Sequence, residues 1–172
     1  MNQQISQLMT SQSQPLYFSV SKTKLVVMSI FSWGIYEIYW FYKNWKLIKE
    51  RTGQDIRPFW RALFAPFFCH SLFKSVRESA HSQGIPSELS PGWLTFAYIA
   101  ILFTYRLPDP VWLIGFLTFL PLLPMQGLIN QVNLTVALEY ELDDHFSWKN
   151  IVVIILGGIL LILYLMDIFV PE

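Results

Sequence analysis

The chain has 172 residues, 53% hydrophobic and 17% aromatic but only 14% charged, where soluble domains carry about 25% charge. That composition excludes an ordinary soluble domain and excludes disorder, which needs low hydrophobicity and high net charge. A disulfide scaffold is excluded by the single cysteine, Cys69. The formal net charge of zero divides into ten Lys/Arg against four acids in residues 1–86 and two against eight in residues 87–172. Since the basic residues punctuate apolar aromatic segments, this asymmetry reads as membrane topology and not as a nucleic-acid surface.

Residues 1–16 are Gln/Ser-rich. They lack the basic and apolar regions of a cleaved signal peptide, and are expected to be a disordered tail before a single helical membrane domain, residues 17–172. The first apolar run, residues 25–42, is 18 residues long with Glu37 as its one charge; that length suffices for a span. Its second half, with Tyr36, Tyr39, Trp40, Phe41 and Tyr42, has the aromatic character of a headgroup-level belt. Residues 43–50 are expected to follow as a basic amphipathic helix on the membrane surface, with Trp45 and Ile48 on one side. A hairpin at Gly34 is the alternative for this run.

Pro58, Pro91 and Pro110 each precede a Trp by two positions. Proline suits the first helical position because its missing N–H has no partner there, and Ser90 and Asp109 are good N-caps. Residues 58–76 contain Arg61, Pro66 and His70. Their apolar part makes a helix of about 22 Å, short of a hydrocarbon core about 30 Å thick, so a re-entrant helix is expected.

Residues 92–105 and 111–123 form a helical hairpin about the tight turn 106–110, with Pro121 and Pro124 marking a kink. Ile129, Val132, Val136 and Tyr140 then recur at helical spacing, while Asn130, Gln131, Asn133 and Glu139 take the other faces. This predicts an amphipathic extension into water that ends at the acidic Glu139, Glu141, Asp143 and Asp144. Residues 151–170 are the strongest span, and Gly157-Gly158 offers close approach to another helix, from a protein partner or a second copy.

The expected fold is therefore all-α: a multi-pass helical membrane protein with three to four spanning helices plus interfacial or re-entrant helices. With the second segment re-entrant, nine Lys/Arg share a side against Lys22, Lys24 and Arg106. The positive-inside rule makes the richer side cytoplasmic and both termini external.

No phosphate loop, Cys-x-x-Cys, His-Glu-x-x-His or Gly-x-Ser-x-Gly occurs. Adjacent Cys69 and His70 do not readily face one ion, so no metal or cofactor is expected. No nucleophile–base set points to an enzyme. The residues with most to say are the intramembrane ionisable ones, because a charge in hydrocarbon persists when paired or useful. Glu37 and Arg61 are the expected polar pair, with Tyr36, Tyr39 and His70 as candidate lining of a pocket.

The stretch Ser32-Trp33-Gly34-Ile35-Tyr36-Glu37-Ile38-Tyr39-Trp40-Phe41-Tyr42-Lys43-Asn44-Trp45-Lys46 resembles the signature of a family of small uncharacterised bacterial membrane proteins, a domain of unknown function. Residues 51–54, 58–62, 148–150 and 157–158 look similar too; the resemblance is close over 17–80 and loose beyond. It implies a bacterial inner-membrane location and no particular catalysis. The expected function is a non-catalytic membrane component that binds a protein partner or lipid. The alternative is a small carrier with an intramembrane polar pocket, although carriers often show repeated halves and the two halves here do not resemble each other.

Overall fold

The computed structural model describes residues 15–137 and 141–169, and among them the regular structure is helical, with no β-strand. The expected tail therefore falls largely outside the described residues, as do Glu139 and Tyr140.

Helix α1, Lys22–Phe31, starts at Ser21, whose Oγ accepts from the Lys24 N–H at 3.1 Å. It stops at a turn that the single-span reading of residues 25–42 did not place. Trp33 (φ 55°) and Gly34 (φ 81°) are both left-handed, a conformation that ends helices. Ser32 Oγ then accepts from the Tyr36 N–H at 2.8 Å and starts the next helix. The first run is thus two helices folded as a hairpin. Helix α2, Ile35–Thr52, continues without a break through residues 43–50, so the separate surface helix is also corrected. Trp40, Phe41, Asn44, Trp45 and Ile48 form its buried face, and Gly53 (φ 65°) terminates it.

Helix α3, Pro58–Leu63, opens on proline as expected and breaks at Phe64; α4, Ala65–Ser82, then carries Pro66 in its first turn, where a missing N–H costs nothing. Ala65, Cys69, Leu72, Phe73, Val76 and Ala80 lie on one stripe of α4 and are buried. Ser90 caps α5, Pro91–Phe103, its Oγ accepting from the Trp93 N–H. A 3₁₀ turn at Thr104–Arg106 and a nine-residue 3₁₀ segment, Val111–Phe119, lead through Pro121 into α6, Leu122–Val136. Asp109 is not a cap: its Oδ1 accepts from Trp112 Nε1 and Tyr164 Oη. The last helix is α7, Trp148–Phe169.

α1 packs on α2 and α7, α2 on α3 and α4, and α4 on α5 and α6. Between α2, α4 and α6 lies a core of Trp40, Phe41, Trp45, Leu72, Phe73, Met125, Ile129 and Val132. An extended strap, residues 17–20, threads this core. Buried backbone polar groups must find partners, and here side-chain amides supply them. Asn133 accepts from the Tyr17 N–H (3.1 Å) and donates to its C=O (2.9 Å). Asn44 accepts from the Phe18 N–H. Gln126 Nε2 donates to the carbonyls of Phe18 and Val20, and its Oε1 accepts from Trp40 Nε1 at 2.6 Å. Of the polar face of α6 expected to meet water, Gln131 is exposed, but Asn133 is buried and Asn130 half-buried; both turn inward to the strap beside the buried Gln126.

Val111–Val136 and Trp148–Asp167 are long and apolar enough to cross a membrane. The apolar residues Phe59, Trp60, Phe64, Phe67, Trp93, Phe96, Ile114 and Leu117 are exposed, as are most of those on α7. An apolar exterior of this extent marks a surface that meets protein or lipid. Gly157 on α7 faces the backbone of Phe31 on α1, so at this glycine a close helix approach is made within the chain.

Candidate functional site

Glu37 lies in the first turn of α2, where a carboxylate favours the positive end of the helix dipole. It is 3% exposed. Its Oε1 accepts from Thr118 Oγ1 at 2.8 Å, and among the described residues no cation pairs with it. Glu37 and Thr118 share a cavity of about 250 Å³ with Trp33, Pro66, Tyr98 and Tyr105. Here the break at Gly34 and the Pro66 turn come together, so the breaks in two helix pairs shape one cavity. Tyr105 packs flat on Gly115, where a Cβ would stand 2.6 Å from its ring.

Arg61 is not Glu37's partner. Its guanidinium lies over the Trp45 ring at 4.4 Å and the Phe68 ring at 5.4 Å. Such cation–π stacking suits arginine, whose planar charge is weakly hydrated. The expected Glu37–Arg61 pair fails for a reason of register: the α2 turn that carries Glu37 faces the 3₁₀ segment at Thr118, and Arg61 meets α2 two turns later, at Trp45.

Tyr36 and Tyr39 do not join Glu37 either. They line a separate cleft of about 540 Å³ with Lys24, Asp143 and His145. Buried Lys24 donates there to Asp143 Oδ1 and to the His145 carbonyl, both at 2.6 Å. A one-residue step along a helix turns a side chain by about 100°, which separates Tyr36 from Glu37. His70 is exposed, in a third groove with Lys74, Arg77 and His81.

Sequence reasoning therefore placed Glu37 in a polar pocket but missed Thr118, Tyr98 and Tyr105, which reach it from distant helices. It also missed a groove of about 360 Å³ between α2 and α4, lined by Arg51, Arg61 and the serines at 71, 75, 79 and 82. The signal was present: four hydroxyls at roughly helical spacing on the face of α4 beside its buried stripe.

Outside the apolar region, Asp109 is held below the ordinary carboxylate range by the hydrogen bonds that Tyr164 and Trp112 donate to it.

No protein-family model, curated protein or solved structure matches the chain.

Proposed function

We propose that the chain is a multi-pass membrane protein of the bacterial inner membrane and acts there as a non-catalytic component that binds lipid or a protein partner. The observation that carries this is the direction of the helices. α1 and α2 double back at Trp33–Gly34, α3 and α4 are separated by a break at Phe64, and α5 and the 111–136 stretch are joined through residues 104–110; we take the break at Phe64 as a third hairpin. On this reading all three hairpins enter from one side, and α7 crosses alone. Eleven of the twelve Lys/Arg then lie on that side and Arg106 on the other, a stronger positive-inside bias than a separate first span would give.

The N-terminal strap changes sides in consequence. Lys24 pairs with Asp143, and Tyr17 bonds to Ser75 on α4, which supports a cytoplasmic N-terminus in place of the external one expected. The test is impermeant thiol labelling of single cysteines at positions 23, 46, 74 and 109 in a Cys69→Ser background. Positions 23, 46 and 74 are expected to label from one side and 109 from the other. Labelling of 23 and 46 from opposite sides would restore a first span and defeat the hairpin reading.

The carrier reading is favoured by one observation, the Glu37 cavity. A carboxylate among aromatic rings suits a small cation. Proteoliposomes assayed with a panel of labelled alkylammonium ions discriminate the two. A flux that Glu37→Gln abolishes supports a carrier, and no flux for any of them supports the binding component.

A further inference from the structure

The groove between α2 and α4 is built for an anion. Two guanidiniums, of Arg51 and Arg61, line it, and neither is paired with a carboxylate among the described residues. Arg51 is fixed by donating from Nη1 to the Leu16 carbonyl at 3.1 Å and from Nη2 to the Tyr17 hydroxyl at 3.4 Å, and by stacking on the Tyr17 ring at 4.9 Å; one N–H on each of these nitrogens is left over. Arg61 is fixed by its stack on Trp45. Stacking occupies the face of a guanidinium and leaves N–H groups on its edge to donate. Ser71 and Ser75 add hydroxyls along the opposite wall, where Ser79 Oγ is already bonded to the Tyr17 hydroxyl at 2.8 Å. Trp45, 1% exposed, lines the same groove, and its Nε1–H has no hydrogen-bond partner among the described residues. The one carboxylate in the lining, Glu78, lies 3.8 Å from Lys74.

We propose that this groove binds a phosphate ester, and that the ester is the headgroup of an anionic phospholipid. Phosphate matches the arginine fork in a bidentate way that a lone ammonium cannot reproduce. A volume of about 360 Å³ leaves room for a headgroup around the phosphorus. The lipid source follows from the neighbours of Arg61. Trp60 and Leu63 on α3 and Phe64 just beyond it are exposed and flank Arg61 in sequence, where they offer apolar surface to acyl chains beside the polar groove. A basic pocket beside such a surface is the arrangement that recognises anionic headgroups. The proposal rests on the membrane reading above and specifies the lipid class and the residues that take it.

The test is lipid retention by native mass spectrometry after exchange of the full-length protein into mixed micelles of phosphatidylglycerol and phosphatidylcholine. Wild type is expected to prefer phosphatidylglycerol by about tenfold, the scale of one charge-assisted pair. Arg61→Gln is expected to remove most of that preference. Ser71→Asp sets a carboxylate at an exposed position of the groove and is expected to do the same without touching the core. Lys46→Gln, an exposed cation outside the groove, is expected to change nothing. Equal retention of the two lipids by wild type overturns the proposal. So does a preference that both groove variants keep, or one that Lys46→Gln reduces as much. Titration with glycerol 3-phosphate separates the sources: tight, Arg61-dependent binding of the free ester, with no preference between the lipids, keeps the phosphate and overturns the lipid. Failure of the membrane reading is seen separately, as full recovery of the protein from cell lysates without detergent.

Discussion

Gly157 sits so close to Phe31 that a Cβ built on it would stand 1.7 Å from the Phe31 carbonyl oxygen. The neighbouring Gly158 is more open, its nearest contact being the Phe31 ring at 3.5 Å. The pair that reads in sequence as one small-residue step is therefore one tight contact and one ordinary one. This contact lies at the end of α1, next to the turn that returns the chain into α2.

Gly157→Ala is expected to destabilise the protein by about 1–3 kcal/mol, the range for over-packing a close contact. Gly158→Ala should stay within about 0.5 kcal/mol of wild type. Thermal unfolding in detergent reads both, and equal small effects would mean that α1 and α7 do not meet at this point.

Asn133→Ala leaves the buried N–H and C=O of Tyr17 without their partners. At about 1–3 kcal/mol for each of the two unsatisfied groups, a loss of roughly 2–6 kcal/mol is expected. Asn130→Ala removes a half-buried bond to the Val20 carbonyl, which Gln126 also serves, and should cost about 1 kcal/mol. Denaturant titration of the two variants provides the comparison; the reverse order would show that the strap is not held by Asn133.

Glu37 and Arg61 are expected to behave independently. In a double-mutant cycle of Glu37→Gln and Arg61→Gln the effects on stability should add within about 0.5 kcal/mol. The same cycle with Glu37→Gln and Thr118→Val should show coupling of about 0.5–3 kcal/mol, as expected for groups in contact. Strong coupling to Arg61 would reinstate the ion pair.

Asp109 has a lowered folded-state pKa because Tyr164 and Trp112 donate to its carboxylate. The sign follows from linkage: a depressed carboxylate contributes stability above its ordinary range, about 3.9 when unperturbed. That contribution fades as the pH falls through the lowered folded value. Carbon-13 NMR titration of labelled aspartate should show Asp109 titrating below the ordinary range in wild type, and moving up in Tyr164→Phe. A Tyr164→Phe variant that titrates as wild type would show that this hydrogen bond does not act on the carboxylate.

The sequence disclosed the helical class, the proline starts at Pro58 and Pro91, the turn about residues 106–110 and the break near Pro66, because each rests on local backbone chemistry. The turn at Trp33 and Gly34 was masked by an unbroken apolar run, since hydropathy records what a residue prefers to touch and not where the chain reverses. Asn130 and Asn133 read as part of a wet face because amides most often meet water, and Gln126 drew no notice. Nothing local shows that a strap more than 100 residues away needs their hydrogen bonds. Glu37 was recognisable as a costly buried charge, but its partner was not, because Thr118 reaches it through packing of distant segments.

The strap also sets a clock on synthesis. Tyr17 and Asn133 are 116 positions apart, and ribosomes add roughly 5–20 residues per second. The N-terminal segment therefore waits roughly 6–23 s after its own synthesis before Asn133 has been made. Throughout that interval the peptide N–H and C=O of Tyr17 must be served by water or by a chaperone. A nascent chain halted before Asn133 should leave this segment open to protease, and one halted after α6 has emerged should protect it.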